Sequence, residues 1–195
     1  MNSYDYIKEI SSEDLIEEIV DDAFSRLHIV KEAMEHAGLD FDSLLGTKNQ
    51  SEILSRVFEK VAGEKYSKHL GTEVSTPTSD KDPDLLFVEK EFPLEIKVTA
   101  GDNWTGGKYS NRPGAYLLIS WDKESKNKCF VALTVLQKDD WLQPSGKNYY
   151  GTTFSKRLLY EACVRGEAKV LKGSLKKNTK HTGLKLTKDI VREAV

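Results

Sequence analysis

The chain of 195 residues is poor in the residues that several function classes require. It holds two cysteines, Cys129 and Cys163, and neither stands at a spacing that ligates metal. Cys129 heads a strand-like apolar run and Cys163 lies in a helical one, so both read as buried free thiols in a reducing compartment such as the cytosol. No apolar stretch approaches the roughly 18 residues of a membrane span. The first ten residues carry three charges and no apolar run, which argues against a signal peptide. His28, His36, His69 and His181 pair with no serine or cysteine nucleophile and have no zinc spacing, so they read as structural or surface residues. Internal repeats, a P-loop and a dinucleotide fingerprint are also missing.

Charge is abundant and unevenly placed. Overall, 29 Lys and Arg stand against 31 Asp and Glu. Residues 1 to 46 carry 12 acids and 3 bases, a net charge of −9, whereas residues 97 to 188 carry 18 bases and 7 acids, a net charge of +11. Two readings of the basic half stand: sequence-independent contacts to a polyanion, or a lysine-rich solvated surface.

The most informative stretch is Ser79 to Ala100. Pro83 and Asp84 open an apolar run, Leu85 to Val88; charged residues 89 to 91 interrupt it; a second run extends from Pro93 to Ala100. Two strands and a tight turn are expected. In the second, Leu94, Ile96 and Val98 alternate with Glu95, Lys97 and Thr99, which places an acid and a base on one face. A turn centred on Lys90 and Glu91 sets Asp84 opposite Ile96 or Lys97, with strands about 4.8 Å apart. Two carboxylates and an ammonium then converge. Carboxylates at that separation repel unless a cation lies between them, and an oxygen-only donor set with a backbone carbonyl nearby suits magnesium better than zinc.

The remaining elements follow from periodicity. Residues 12 to 36 form a helix capped by Ser11, with an apolar stripe from Leu15 to Val30 beside an acidic face. The stripe packs on the core or forms a dimer interface. A second helix covers Ser51 to His69 with Ile53, Leu54, Val57, Phe58 and Val61 on one side, which puts Glu64 within the apolar sector and turns Glu59 away. An interior acid needs a partner, and Lys60 or Lys68 can provide one. Strands follow at Thr72 to Ser75, Ala115 to Trp121, Cys129 to Leu136 and Ala168 to Leu171. The middle two are nearly continuously apolar, as strands covered on both faces are. A charged turn, Asp122 to Lys128, separates them. A helix from Ser155 to Arg165, capped by Thr152 or Thr153, is ended by Gly166. From Lys169 to Lys188 there are seven lysines and no acid, broken by glycine and asparagine, which reads as a flexible arm or an exposed tail.

Pro83-Asp84, a ten-residue gap, then Glu95-Ile96-Lys97 resembles the signature of the PD-(D/E)XK nuclease superfamily, to which the type II restriction endonucleases belong, and the order helix, strand, strand, strand over Ser51 to Leu136 is similar to its core. The resemblance implies an α/β fold with a restriction-endonuclease-like core, a mixed central sheet of about five strands flanked by helices. It implies that Asp84 and Glu95 hold magnesium with the carbonyl of Ile96, that Lys97 acts on the attacking water, and that Glu64 adds a third acidic contact. The expected chain is a single nuclease domain: an acidic helical part (1–46), a catalytic core (47–172) and a basic arm (173–195). The expected activity is sequence-specific cleavage of double-stranded DNA by a homodimer in a prokaryotic cytoplasm, with a cognate DNA methyltransferase as genetic partner. Another nuclease of this superfamily, or a non-catalytic DNA-binding module, is the alternative. The glycine-rich segment Gly101 to Gly114 leaves the Lys97 strand where DNA would lie, so Asn103, Trp104, Lys108, Tyr109, Ser110 and Arg112 are candidate DNA contacts, as are Lys176, Lys177 and Lys180 of the arm. A turn-rich connector whose Trp104 caps the core is the other reading of that segment.

Overall fold

The computed structural model describes residues 3–76, 82–106, 113–122, 125–142, 152–173, 175–176 and 183–184. Helix α1 (Ser3–Ile10) precedes α2 (Glu13–His36), whose N-cap Ser12 accepts from the Leu15 amide. Ser11, expected as that cap, instead donates back to the Lys8 carbonyl. A short α3 (Phe41–Leu44) leads into α4 (Thr47–Leu70), which closes at Gly71 in the left-handed conformation that glycine adopts without penalty. The expected acidic amphipathic helix is therefore α2, and α1 and α3 are additional elements.

Next come β1 (Val74–Ser75), β2 (Leu85–Phe87), β3 (Phe92–Thr99), β4 (Asn103–Thr105), β5 (Gly114–Asp122) and β6 (Ser125–Leu136). After β7 (Thr153–Ser155) and α5 (Lys156–Arg165), β8 (Ala168–Lys172) completes a six-stranded sheet in the order β1-β2-β3-β5-β6-β8. Only β3 and β5 run parallel; every other neighbouring pair is antiparallel. The chain is thus α/β with a mixed sheet flanked by helices, one strand wider than expected. The turn expected from Asp122 to Lys128 is largely strand, since β6 begins at Ser125. Ser155, rather than Thr152 or Thr153, caps α5 by accepting from the Leu158 amide. Beyond the sheet, β9 (Leu175–Lys176) pairs with β10 (Gly183–Leu184), so the described part of the expected flexible arm is paired strand.

Two apolar layers explain why this sheet forms. On one face Leu85, Phe87, Leu94, Ile96, Leu117, Ile119, Val131 and Leu133 pack against Leu15, Ile19, Leu54, Phe58 and Val61 of α2 and α4. On the other, Tyr116, Leu118, Phe130 and Ala132 pack against Leu159, Ala162 and Cys163 of α5 together with Trp104 and Phe154. Successive residues of β5 serve opposite layers, as the pleat requires, and each buried side chain contributes roughly 1.5–3 kcal/mol. Both cysteines are buried, with their thiols pushed up to about 12 at Cys129 and about 11 at Cys163, so they are inert packing groups.

Candidate functional site

The β2–β3 hairpin is registered by Phe87 opposite Phe92 and Leu85 opposite Leu94. Its turn is a single 3-10 turn, Val88–Lys90, completed by Glu91 at φ 50°. The centre therefore lies earlier than Lys90–Glu91, and continuing the register sets Asp84 opposite Glu95 rather than Ile96 or Lys97. Strand pairing stops at Leu85. Beyond it, the amide of Ile96 donates to Asp84 Oδ2 at 2.7 Å, so the carboxylate takes over as acceptor where β2 ends. That bond ties Asp84 to the strand carrying Glu95 and Lys97.

Leu94 and Ile96 face the helices α2 and α4, so the pleat sends Glu95 and Lys97 to the opposite side of β3. Lys97 Nζ lies 3.2 Å from Asp84 Oδ2 and 2.7 Å from Glu95 Oε2, bridging the two acids. All three side chains are partly sheltered, with 19, 16 and 19 % exposure for Lys97, Glu95 and Asp84 respectively. Burial raises the Glu95 carboxyl above its ordinary value and the charge of Asp84 adds to that, against the opposing pull of Lys97. Burial draws the Lys97 ammonium down, but its attraction to Asp84 and Glu95 outweighs this and leaves it raised. Lys97 is therefore a cation at neutral pH.

Glu64 is not part of this cluster. It pairs with Arg26 of α2 at 2.6 Å and with Lys60 at 3.6 Å, is 42 % exposed, and is held below the usual carboxylate range chiefly by the Arg26 hydrogen bond. The helix acid that senses the site is Glu59, 8 % exposed, which receives Ser55 Oγ at 3.2 Å and Arg56 at 2.7 Å. Burial first, and then repulsion from Asp84, raise the Glu59 carboxyl. The expected stripe on α4 was rotated because it left out Ala62 and Tyr66, both fully buried. Including them moves the buried sector around toward Glu59 and away from Glu64, at about 100° per residue.

Trp104, a candidate DNA contact, is fully buried and donates to the Ile119 carbonyl at 2.9 Å, so its ring is core and does not reach a ligand. Asn103 is exposed on β4. Lys108, Tyr109, Ser110, Arg112, Lys177 and Lys180 lie outside the described residues, and of Lys176 only the backbone in β9 is described.

Among the described residues, no group of three or more His, Cys, Asp or Glu side chains could hold a metal ion. A divalent ion at Asp84 and Glu95 would thus rest on two carboxylates with backbone and water oxygens, the sparse all-oxygen set that magnesium favours. Both acids already converge on one cationic nitrogen, so the donors fit a single cation. No helix among the described residues is long and apolar enough to cross a membrane. No protein-family model matches the chain, and no curated protein matches it.

Proposed function

We propose that this chain is a magnesium-dependent endonuclease of the PD-(D/E)XK type, with a restriction-endonuclease-like core, that cleaves double-stranded DNA at specific sequences as type II restriction enzymes do. The observation that carries the reading is Lys97 bridging Asp84 and Glu95 across the end of the β2–β3 hairpin, because that trio joins two anionic oxygen donors to a fixed ammonium in a partly sheltered cluster. Asp84, Glu95 and the Ile96 carbonyl would hold the ion, which when bound polarises the scissile phosphate and acidifies a water. Lys97, being protonated, orients the attacking water through its N–H donors and offsets charge growing on the phosphate oxygens. Glu59 lies close enough for its carboxyl to feel the charge of Asp84, and Arg56 pairs with it. The basic segment after residue 96 supplies phosphate contacts. Action as a two-fold dimer in a prokaryotic cytoplasm, with a methyltransferase protecting host DNA, completes the proposal.

The test is incubation of the purified chain with plasmid and magnesium, followed by sequencing of the ends. Discrete fragments with one end sequence are expected, and Lys97→Ala should abolish cleavage while DNA binding persists. Equal cleavage by the variant would reduce Asp84, Glu95 and Lys97 to a structural ion-pair cluster.

A further inference from the structure

Strands β4 and β7 pair as a ribbon, Asn103 opposite Ser155 and Thr105 opposite Thr153, and Leu142 bridges to Thr153 on the far edge of β7. Alternation sorts its side chains cleanly. Trp104 and Phe154 point inward, fully or nearly fully buried, and Trp141 beside Leu142 is buried with them. Cross-strand partners share a face, so Asn103, Thr105, Thr153, Ser155 and Leu142 lie together on the outer face. Asn103 and Thr105 are exposed, Thr153 and Ser155 half-buried, and Leu142 is 48 % exposed.

The ribbon is fixed to the sheet that carries the candidate site. It follows β3 after three residues. Ser120 Oγ donates to the Gly101 carbonyl at 3.0 Å, and Asp102 accepts both the Lys156 amide and the Lys156 ammonium at 2.9 Å. Trp104 and Phe154 belong to the layer containing Tyr116 and Leu118, which stand beside Glu95 and Lys97 in the β3–β5 register. Ribbon and charged trio therefore occupy the same side of the sheet.

We infer that the outer face of this ribbon reads base edges in the major groove of double-stranded DNA, with Asn103, Thr105, Thr153 and Leu142 as the specificity-determining side chains. The inference rests on the nuclease reading above and names how that site is brought to its sequence. A two-stranded ribbon is the kind of element that a groove about 12 Å wide admits. None of the outward residues is charged, which suits base edges rather than phosphates, whose contacts come from cations. The chemistry matches in detail: a carboxamide pairs bidentately with adenine, hydroxyls serve either donor or acceptor edges, and Leu or Thr methyls pack on the thymine methyl. Ser155 is engaged as the α5 cap, and Arg157 in the first turn of that helix is exposed. Among the described residues, the single exposed apolar side chain on this face, Leu142, is too little for a protein-binding hot spot, which needs aromatic or arginine anchors.

The test is selection of bound duplexes from a randomised pool by the full chain, with calcium replacing magnesium, repeated for Asn103→Ala and Thr105→Ala. The wild type should enrich a motif containing an A·T pair. Each variant should relax the preference at one or two positions by about tenfold, with non-specific binding, its salt dependence and the melting temperature unchanged. An unaltered motif in both variants, uniform weakening across all sequences, or no motif from the wild type overturns the inference. Magnesium-dependent plasmid cleavage separates the two readings: a motif relaxed by the variants without cleavage removes the nuclease and keeps the reader, whereas cleavage with an unaltered preference does the reverse.

Discussion

Neighbouring strands of the sheet are built differently. At β5 and β6 both faces are sealed, by α2 and α4 on one side and by α5 with the β4–β7 ribbon on the other. At β3 the helix side is apolar, and the opposite side holds the sheltered charges Glu95 and Lys97, 16 and 19 % exposed. The same pleated alternation thus yields two hydrophobic layers at β5 and β6, and one hydrophobic layer with a charged cluster opposite it at β3. The charged trio of Asp84, Glu95 and Lys97 gathers where β2 ends against β3.

The sharpest way to break this contrast is at β3. Lys97→Ala should lower the proposed cleavage by about 10³-fold or more. The same change leaves two sheltered carboxylates facing each other and should cost about 1–3 kcal/mol without divalent ion, less than a fully buried pair because the cluster is partly solvated. Magnesium should raise the melting temperature of this variant more than that of the wild type, since the ammonium no longer competes for the acids. An equal shift in both would mean that the carboxylates do not share one cation site.

At β5, Leu117→Ala and Leu118→Ala probe opposite layers from adjacent positions, exposed 1 % and 0 %. Each should cost about 2–5 kcal/mol in denaturant unfolding. A markedly smaller loss for Leu118 would show the ribbon layer to be loosely closed.

Glu95→Gln gives a smaller, pH-dependent effect. Because the folded state raises this carboxyl, its ionised form opposes folding, and that cost is fully present above the folded value. The variant should therefore melt slightly higher than the wild type at neutral pH. The difference should shrink as pH falls through the raised value and be gone below the ordinary carboxylate range. A variant that melts lower at neutral pH would show the Lys97 pairing to outweigh burial. Smallest of all, Glu64→Gln removes exposed pairs with Arg26 and Lys60 and should cost about 0.2–1 kcal/mol with cleavage unchanged. Loss of cleavage there would return Glu64 to the site.

Much of this contrast could be read from the residues alone. Continuous apolar runs at Ala115 to Trp121 and Cys129 to Leu136 announced strands covered twice, and alternation through Glu95 and Lys97 announced a strand with one apolar face. Convergence of Asp84, Glu95 and Lys97 followed from one hairpin, although the turn lies earlier than expected because Glu91 accepts a left-handed backbone that propensity assigns to glycine or asparagine. The buried helix acid is Glu59 rather than Glu64 for a reason of phase: small Ala62 and amphipathic Tyr66 carry little hydrophobic signal yet complete the buried stripe. The β4–β7 pairing was invisible because strands of three residues leave no periodicity, and their partner lies some fifty positions away.

The bond from the Ile96 amide to Asp84 makes the acid part of the fabric of the sheet as well as of the charged cluster. Fraying of the β1–β2 margin would pull this carboxylate away with it, so the geometry of the charged trio and edge integrity rise and fall as one. Exchange of that one amide proton with solvent thus serves as a built-in gauge of how often the cluster comes apart.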